Sequence, residues 1–551
     1  MKIVWIDLNC SYAHSSLALP ALHAQIKHRQ DIEWAVVRST TADVIGNTVS
    51  KIYEQRPNIV CATAWLFTHE HLLHILKRLK ALLPEVIVFL GGPEFLGNNE
   101  DYLRSHLEVN LVLRGEGEHS FATWLEVYNQ PEKWTIIPGL CYINNGLYRD
   151  NGIARAMDFS KIAIPEESEW FSWDKPFVQI ETTRGCFNSC AFCVSGIGDP
   201  IRKQPISTIR HRLQQIANRG MKDVRILDRT FNYNAQHAIN LLELFQEFHP
   251  QLRFHLEIHP ALLTSKLKEA LANMPNGMLH LESGIQSLRA EVLEISERKG
   301  ALESAMEGLR YLCSLPNIVV HADLIAGLPR YTLPQIYEDI KNLAFINAGE
   351  IQLESLKLLP GTKMRNNAEN LGIKYSPAPP YEVLETREIS CNELQEARLL
   401  SRLLDGYYNT NAWIDVTRFM ILNEEDFLRN FLEFLTHHHY IEYPMSLERR
   451  GELLYQFCKE NYPQHTDRIS MAWIDAGMSL KKQPAEKILS VRKHQLQSDW
   501  EVIYGTYTEG LRLFYLPQGD ESYGILYGYL QTGQHKPPIF KALSKNPTIK
   551  S

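Results

Sequence analysis

The 551-residue sequence predicts an α/β fold in three parts. An open parallel sheet of the flavodoxin or Rossmann kind is expected over residues 1–140, and a hairpin and linker over 141–175. A partial, TIM-like (β/α)6 barrel follows over 176–376, and a mainly α-helical accessory domain over 377–551. Three observations carry this. The chain is too long for one hydrophobic core. Two successive series of short, continuously apolar runs alternate with segments of helical period, the pattern of parallel strands covered on both faces. The alternation then stops at Ala378-Pro379-Pro380-Tyr381, and apolar residues afterwards recur at helical spacing, as in Leu394, Ala397, Leu400, Leu403 and Leu404.

Composition narrows the function classes. With 44% hydrophobic and 22% charged residues and no low-complexity tract, the chain reads as globular. No apolar run approaches the ~20 residues of a membrane span. The start, Met1-Lys2-Ile3-Val4-Trp5-Ile6-Asp7, reads as a strand and not as a signal peptide. A net charge of -7 leaves no electrostatic footprint for non-specific nucleic-acid binding, so neither a membrane nor a nucleic acid is expected as partner. Nine cysteines, an odd number with no regular spacing outside one triplet, argue for a reducing compartment, and the cytoplasm is the expected location.

The first series places strands at 3–8, 33–37, 59–63, 86–90 and 111–113, with Leu72, Leu73, Ile75, Leu76, Leu79 and Leu82 marking one helix between them. Such sheets bind ligands beyond the strand C-terminal ends. The informative residues are therefore Tyr12, His14 and Ser15, then Thr63, Trp65 and Leu66, then Gly91-Gly92-Pro93-Glu94, and finally Arg114-Gly115-Glu116-Gly117-Glu118. Glycines in the last two loops permit close backbone approach. Neither loop is G-x-G-x-x-G, which weakens a dinucleotide reading. His69-Glu70-His71-Leu72-Leu73-His74 lacks the second histidine of a zinc-protease pair because position 73 is Leu, and His437-His438-His439 reads as the end of a helix.

Turn-rich text, Asn144-Asn145-Gly146, Asn151-Gly152 and Pro165-Glu166-Glu167, forms the hairpin and linker. The second series places strands at 177–182, 224–227, 254–258, 278–282, 319–324 and 351–356, separated by helices. Chemistry in such a barrel sits at the strand C-terminal ends. The loop after the first strand is Thr183-Arg184-Gly185-Cys186-Phe187-Asn188-Ser189-Cys190-Ala191-Phe192-Cys193. Asp228 and Asn232 follow the second strand, Glu257 and His259 the third, Glu282-Ser283-Gly284-Ile285-Gln286-Ser287 the fourth, and Asp323 with Gly327-Leu328-Pro329 the fifth. Thiolate is the ligand that iron–sulfur clusters and zinc select. A closed zinc site needs four ligands, usually two paired knuckles, and the sequence holds no second pair. Three thiolates on a cubane leave one iron open.

The Cys-x-x-x-Cys-x-aromatic-Cys spacing resembles that of radical S-adenosylmethionine (SAM) enzymes. The order Gly-Gly-Pro-Glu, then Arg-Gly-Glu-Gly-Glu, upstream of such a loop resembles the cobalamin-binding domain of cobalamin-dependent radical SAM enzymes, over residues 2–129. Their subset with a C-terminal domain of uncharacterised function is the nearest resemblance. It implies a 4Fe–4S cluster on Cys186, Cys190 and Cys193, with SAM on the open iron. It implies Asp228 at the SAM amino group, Glu257 with Glu282 or Gln286 at the ribose, and Phe192 and Gly327 beside the adenine. Cobalamin would lie among Tyr12, His14, Ser15, Thr63, Trp65, Leu66, Gly91, Gly92, Pro93, Glu94, Gly115, Glu116 and Gly117. The Asp-x-His-x-x-Gly motif is absent, so no histidine is expected on cobalt, with Trp65 and Leu66 at the lower face.

The implied activity is methylation of an unactivated carbon of an unidentified substrate, with electrons from a flavodoxin- or ferredoxin-type donor. Alternatives are a non-methylating cobalamin-dependent rearrangement or cyclisation and, from a different class, a cobalamin- or redox-sensing binding protein with a vestigial cluster. Residues 500–530, rich in Tyr, Phe and Gly, are expected to add a few strands to the last domain.

Overall fold

The structure, a computed structural model, describes residues 1–11, 13, 15–155, 158–195, 200–479 and 482, and four later strands by their backbone. The chain divides into two compact units. One comprises residues 1–336 and 354–394, the other 337–353 and 395–551.

The first unit opens with a seven-stranded sheet: β1 (Lys2–Asn9), β2 (Glu33–Thr40), β3 (Ile59–Thr63), β4 (Ile87–Gly91), β5 (Leu111–Leu113), β6 (Leu140–Asn144) and β7 (Leu147–Asp150), in the order β2-β1-β3-β4-β5-β6-β7. The continuous apolar runs are explained by burial on both faces. Val4, Ile6 and Leu8 of β1 enter one core with Val60, Val88 and Val112, while Ile3 and Trp5 enter the other with Ile59, Phe89 and Leu111. β1 to β5 pair in parallel; β6 pairs antiparallel with β5, and β7 with β6. The hairpin that the sequence sets in a linker therefore extends the sheet past residue 140 to Asp150. β6, paired on both sides, buries Leu140, Cys141 and Tyr142, whereas β7 is the edge strand and is largely exposed.

The barrel strands are β8 (Val178–Ile180), β9 (Thr183–Arg184), β10 (Arg202–Lys203), β11 (Asp223–Ile226), β12 (Arg253–Glu257), β13 (Leu279–Gln286), β14 (Ile318–Ala326) and β15 (Glu350–Ser355). Five of them lie parallel within this unit in the order β14-β13-β12-β11-β8, and β15, sixth strand of the sheet, straddles the boundary between the units. β9 and β10 form a separate antiparallel ladder. β13 and β14 run longer than their apolar text suggests. Along both, buried and part-accessible residues alternate, so one face is core and the other is polar.

The helix Leu302–Ser314 shows how closely this layer packs. A Cβ at Gly308 would overlap the carbonyl oxygen of Pro260 and lie 2.7 Å from its carbonyl carbon.

The second unit carries the helices Ile414–Asn423, Phe427–His437, Leu447–Asn461 and Thr466–Asp475, with Trp413 and Trp473 in ring contact at 6.3 Å. His437 ends its helix, as the sequence implies, and His437, His438 and His439 are exposed. A four-stranded antiparallel sheet, Leu489–Val491, Leu511–Gln518, Tyr523–Leu530 and Phe540–Lys545, accounts for the aromatic C-terminal segment. Among the described residues no helix is long and apolar enough to cross a membrane.

Gly308→Ala gives a clean sign test of the packing. Alanine ordinarily stabilises a helix interior by about 1 kcal/mol. Here overlap with Pro260 reverses the sign, and the substitution is expected to cost about 1–3 kcal/mol, read as a lowered thermal unfolding midpoint. A raised midpoint would show that the helix stands off Pro260.

Candidate functional site

The cysteine loop is tied to its neighbours at both ends. Asp228, 1% exposed just beyond β11, accepts hydrogen bonds from the backbone N–H of Thr182 at 2.7 Å and of Thr183 at 2.9 Å, and from the Thr182 hydroxyl. Burial pushes its carboxyl up to about 6, against the pull of these donors. Further on, Ala191 N–H donates to Ser296 O at 2.8 Å, Met364 N–H to Ala191 O at 2.8 Å, and Lys299 N–H to the Asn188 side-chain oxygen at 2.8 Å. Gly185, at φ +93°, turns the chain into the triplet. Cys190 is buried and Cys186 and Cys193 are half-buried. Arg298 reaches to 3.8 Å from Cys190 Sγ and also donates to Gly284 O; Thr230 Oγ1 lies 3.8 Å from Cys186 Sγ. Burial raises the Cys190 thiol, and the Arg298 guanidinium opposes it. Elsewhere burial pushes Cys141 up to about 11 and Cys458 up to about 12, and raises Cys61 further, so these three are inert thiols.

The polar face of the barrel carries a layered set of ionisable groups. Glu257, Glu282 and His321 stand opposite one another on β12, β13 and β14, and His255 stands opposite His280 one layer below. His255 Nε2 meets Glu282 Oε2 at 2.7 Å, His321 Nε2 meets Asp323 Oδ1 at 3.1 Å, and Arg229 meets Glu257 at 3.5 Å. Burial pushes Glu257 up to about 7, with Arg229 opposing. Burial also holds Asp323 well above the usual carboxylate range, reinforced by Glu282 and Glu257, whereas the hydrogen bond from His255 lowers Glu282. The sequence points to the three acids but misses the histidines, which lie within strands. Period-two alternation over 253–257, 279–286 and 318–326 is the signal that would have found them.

At the rim, Gln286 adopts φ +73° where the β13–β14 register shifts, a conformation rare outside glycine. Its side chain folds back over Gly284, and its buried Oε1 has no hydrogen-bond partner among the described residues. Phe192 is half-buried and Gly327, at φ +90°, is buried among Leu356, Leu394 and Val383.

The N-terminal loops sort differently from expectation. Tyr12 and His14 lie outside the described residues. Ser15 is half-buried and Thr63 buried, while Trp65 and Phe67 are 40% and 59% exposed on either side of half-buried Leu66. A Cβ at Gly91 would meet nothing within 4 Å. At Gly92 it would lie 2.7 Å from Ala64 O, at Gly115 it would overlap Ala154 O, and at Gly117 it would touch Leu113 and Leu22 at 3.2 Å. Gly91 thus opens onto free space, and the other three glycines serve the packing of their own domain. Pro93 starts the short turn Pro93–Phe95. Buried Glu94 accepts from the Tyr381 hydroxyl, and Glu116 is bridged by Arg184 and Arg202. Both acids, assigned to a ligand from the sequence, engage distant segments of the same unit, Glu94 at Tyr381 and Glu116 at the start of the barrel.

Family models align with this layout. Residues 9–125 match the B12 binding domain, 180–343 the radical SAM superfamily, and 369–497 a protein family of unknown function, DUF4080. The chain is a cobalamin-binding radical SAM protein. Its cofactors are accordingly a 4Fe–4S cluster, SAM and cobalamin. The three-cysteine loop suits an open-iron cluster, and the free space at Gly91 beside the exposed Trp65 suits a flat macrocycle.

This radical SAM protein is 24% identical over 362 residues to an uncharacterized methyltransferase of Pyrococcus horikoshii, covering 63% of this chain and 77% of the relative. It is also 24% identical over 238 residues to the tRNA-2-methylthio-N(6)-dimethylallyladenosine synthase of Herpetosiphon aurantiacus, covering 41% of this chain and about half (53%) of the relative. Among solved structures, the cobalamin-dependent SAM radical enzyme OxsB superposes with a TM-score of 0.61 at 14% identity, over 88% of this chain and 82% of that one. The radical SAM methyltransferase TsrM of Kitasatospora setae gives 0.55 at 17% identity, over 68% and 79%.

Glu257 yields a pH test in the metal-free protein. Its folded carboxyl titrates near 7 against an ordinary 4.5, so the folded state binds the extra proton and stability falls as pH rises from about 4.5 to 7. Glu257→Gln removes that loss. The variant should unfold at the same temperature as the parent at pH 4 and at a higher one at pH 8. A constant offset across this range would show that the carboxyl is not perturbed.

Proposed function

We propose that this protein methylates an unactivated carbon of a substrate in a reaction that uses all three cofactors. The observation that carries the reading is the loop of Cys186, Cys190 and Cys193, anchored at both ends, in a chain that also holds a cobalamin-binding domain. The similarity to the Pyrococcus methyltransferase supports methyl transfer. The tRNA-modifying relative matches less than half of this chain, and its substrate is not carried over. When bound, the cofactors supply hydrogen abstraction from carbon and delivery of a methyl group.

The chain's own residues hold and shield. Cys186, Cys190 and Cys193 donate the thiolates. Asp228, whose oxygens are taken by Thr182 and Thr183, orients the loop and is reassigned from the SAM amino group to that task. Glu257, Glu282 and Gln286 offer oxygens to the SAM ribose, and Phe192 and Gly327 border its base. Trp65 and Leu66 with Ser15, Thr63, Gly91 and Pro93 would wall the corrin, and no histidine is assigned to cobalt. Reduction is assigned to an external flavodoxin- or ferredoxin-type donor. The domains we propose are residues 1–140, extended by the β6–β7 hairpin to Asp150, then the linker to 175, 176–376 and 377–551.

Cys186→Ala, Cys190→Ala or Cys193→Ala should each abolish cluster iron and SAM cleavage, because three thiolates leave no spare ligand. Alanine at Cys61, Cys141 or Cys458 should leave iron content unchanged. The function itself is tested by incubating reduced, reconstituted protein with cobalamin, methyl-labelled SAM and a cell extract. Label in a carbon–methyl product together with 5′-deoxyadenosine is the expected result. 5′-Deoxyadenosine with an unlabelled product would overturn methyl transfer in favour of a radical rearrangement.

A further inference from the structure

We infer that an arginine–glutamate clamp makes cobalamin binding and cluster assembly mutually dependent, with Arg184 as its positioning residue. The inference rests on the cofactor reading above and concerns residues that reading assigns to neither cofactor's chemistry.

Arg184 stands two residues before Cys186 and donates to Glu118 at 2.6 Å, to Glu116 at 3.3 Å and to Glu181 at 2.7 Å. Arg202 grips Glu116 with both terminal nitrogens, at 2.6 and 3.0 Å. Glu116 lies in the loop that follows β5 of the cobalamin-binding domain and Glu118 opens the helix Glu118–Glu126 after it, so the clamp joins that segment to the strand leading into the cysteines. The side chains are 8–20% exposed apart from Glu181. Breaking such a sheltered pair strands an uncompensated charge, unlike a pair in open water.

A second observation makes the clamp obligatory. Arg184 and Arg202 face each other directly across the β9–β10 ladder. Like charges in that relation repel, and Glu116, supplied by the other domain, accepts from both. The ladder that shapes the entry to the cysteine loop is therefore complete only when the β5 loop is seated. That loop is also fixed from behind, because Gly115 at φ +103° bridges Ala154. β5 lies directly beside β4, whose C-terminal end carries Gly91 and Pro93 of the corrin wall. Seating a corrin there thus favours the ladder through the neighbouring β5 loop, and a bound cluster that fixes the cysteine loop favours the β5 loop in return. Such linkage is reciprocal in free energy.

The test titrates hydroxocobalamin into the full-length protein with the reconstituted cluster and into the same protein without iron. Affinity should be about fivefold or more tighter with the cluster present. In Arg184→Met the two affinities should converge while iron still loads, and Glu118→Gln should behave alike. Arg184→Lys, which keeps the positive charge among Glu116, Glu118 and Glu181, should retain part of the difference, which a merely destabilised fold would not do. Equal affinities in the parent protein, or an undiminished difference in both Arg184→Met and Glu118→Gln, would overturn the coupling. Failure to bind hydroxocobalamin under either condition would instead overturn the cobalamin reading, and the coupling with it.

Discussion

Three thiolates within eight residues bind a cluster only if their loop is held, for the chain offers no fourth ligand to compensate a misplaced one. The hold comes chiefly from Asp228, a buried carboxylate that receives the two backbone N–H groups entering the loop. A buried carboxylate is costly unless fully hydrogen-bonded, and here its partners are the segment it must position. Ser296, Lys299 and Met364 fix the far end through the backbone. The cysteines are thus built into the rim of the barrel, whereas Cys61, Cys141 and Cys458 behave as buried apolar groups.

The polar face of β12 to β14 follows from the same economy. A strand flanked by helices on both sides has an apolar centre, as Ile3 to Ile6 of β1 and Ile59 to Ala62 of β3 do. The barrel strands keep one face free of helices, and there they place Glu257, Glu282 and Asp323 interleaved with His255, His280 and His321. Burial keeps Glu257 and Asp323 protonated further up the pH scale than free carboxyls. They can therefore donate as well as accept hydrogen bonds, which suits polar, hydroxyl-bearing ligands at the strand ends.

Much of this was legible in the sequence because it rests on short-range pattern. The two series of apolar runs located every parallel strand, and the cysteine spacing located the cluster loop without any fold at all. Contacts between distant segments were not legible. Glu94 and Glu116 stand in loops where a ligand is expected, yet they meet Tyr381 and Arg202, nearly 300 and nearly 90 positions away. Gly92 and Gly117 looked like openings for a macrocycle, but local crowding by Ala64, Leu113 and Leu22 already requires them. The β6–β7 hairpin was expected from Asn144-Asn145-Gly146, but its pairing onto β5 was not legible, because that contact joins segments about 30 residues apart.

The central claim is that Cys186, Cys190 and Cys193 carry a cluster with one iron left free for SAM. Mössbauer spectroscopy of protein reconstituted with iron-57, recorded without and with SAM, addresses it directly. A single iron subsite should change its isomer shift when SAM is added while the remaining three do not. Four unresponsive irons, or a protein that retains no cubane cluster, would contradict it.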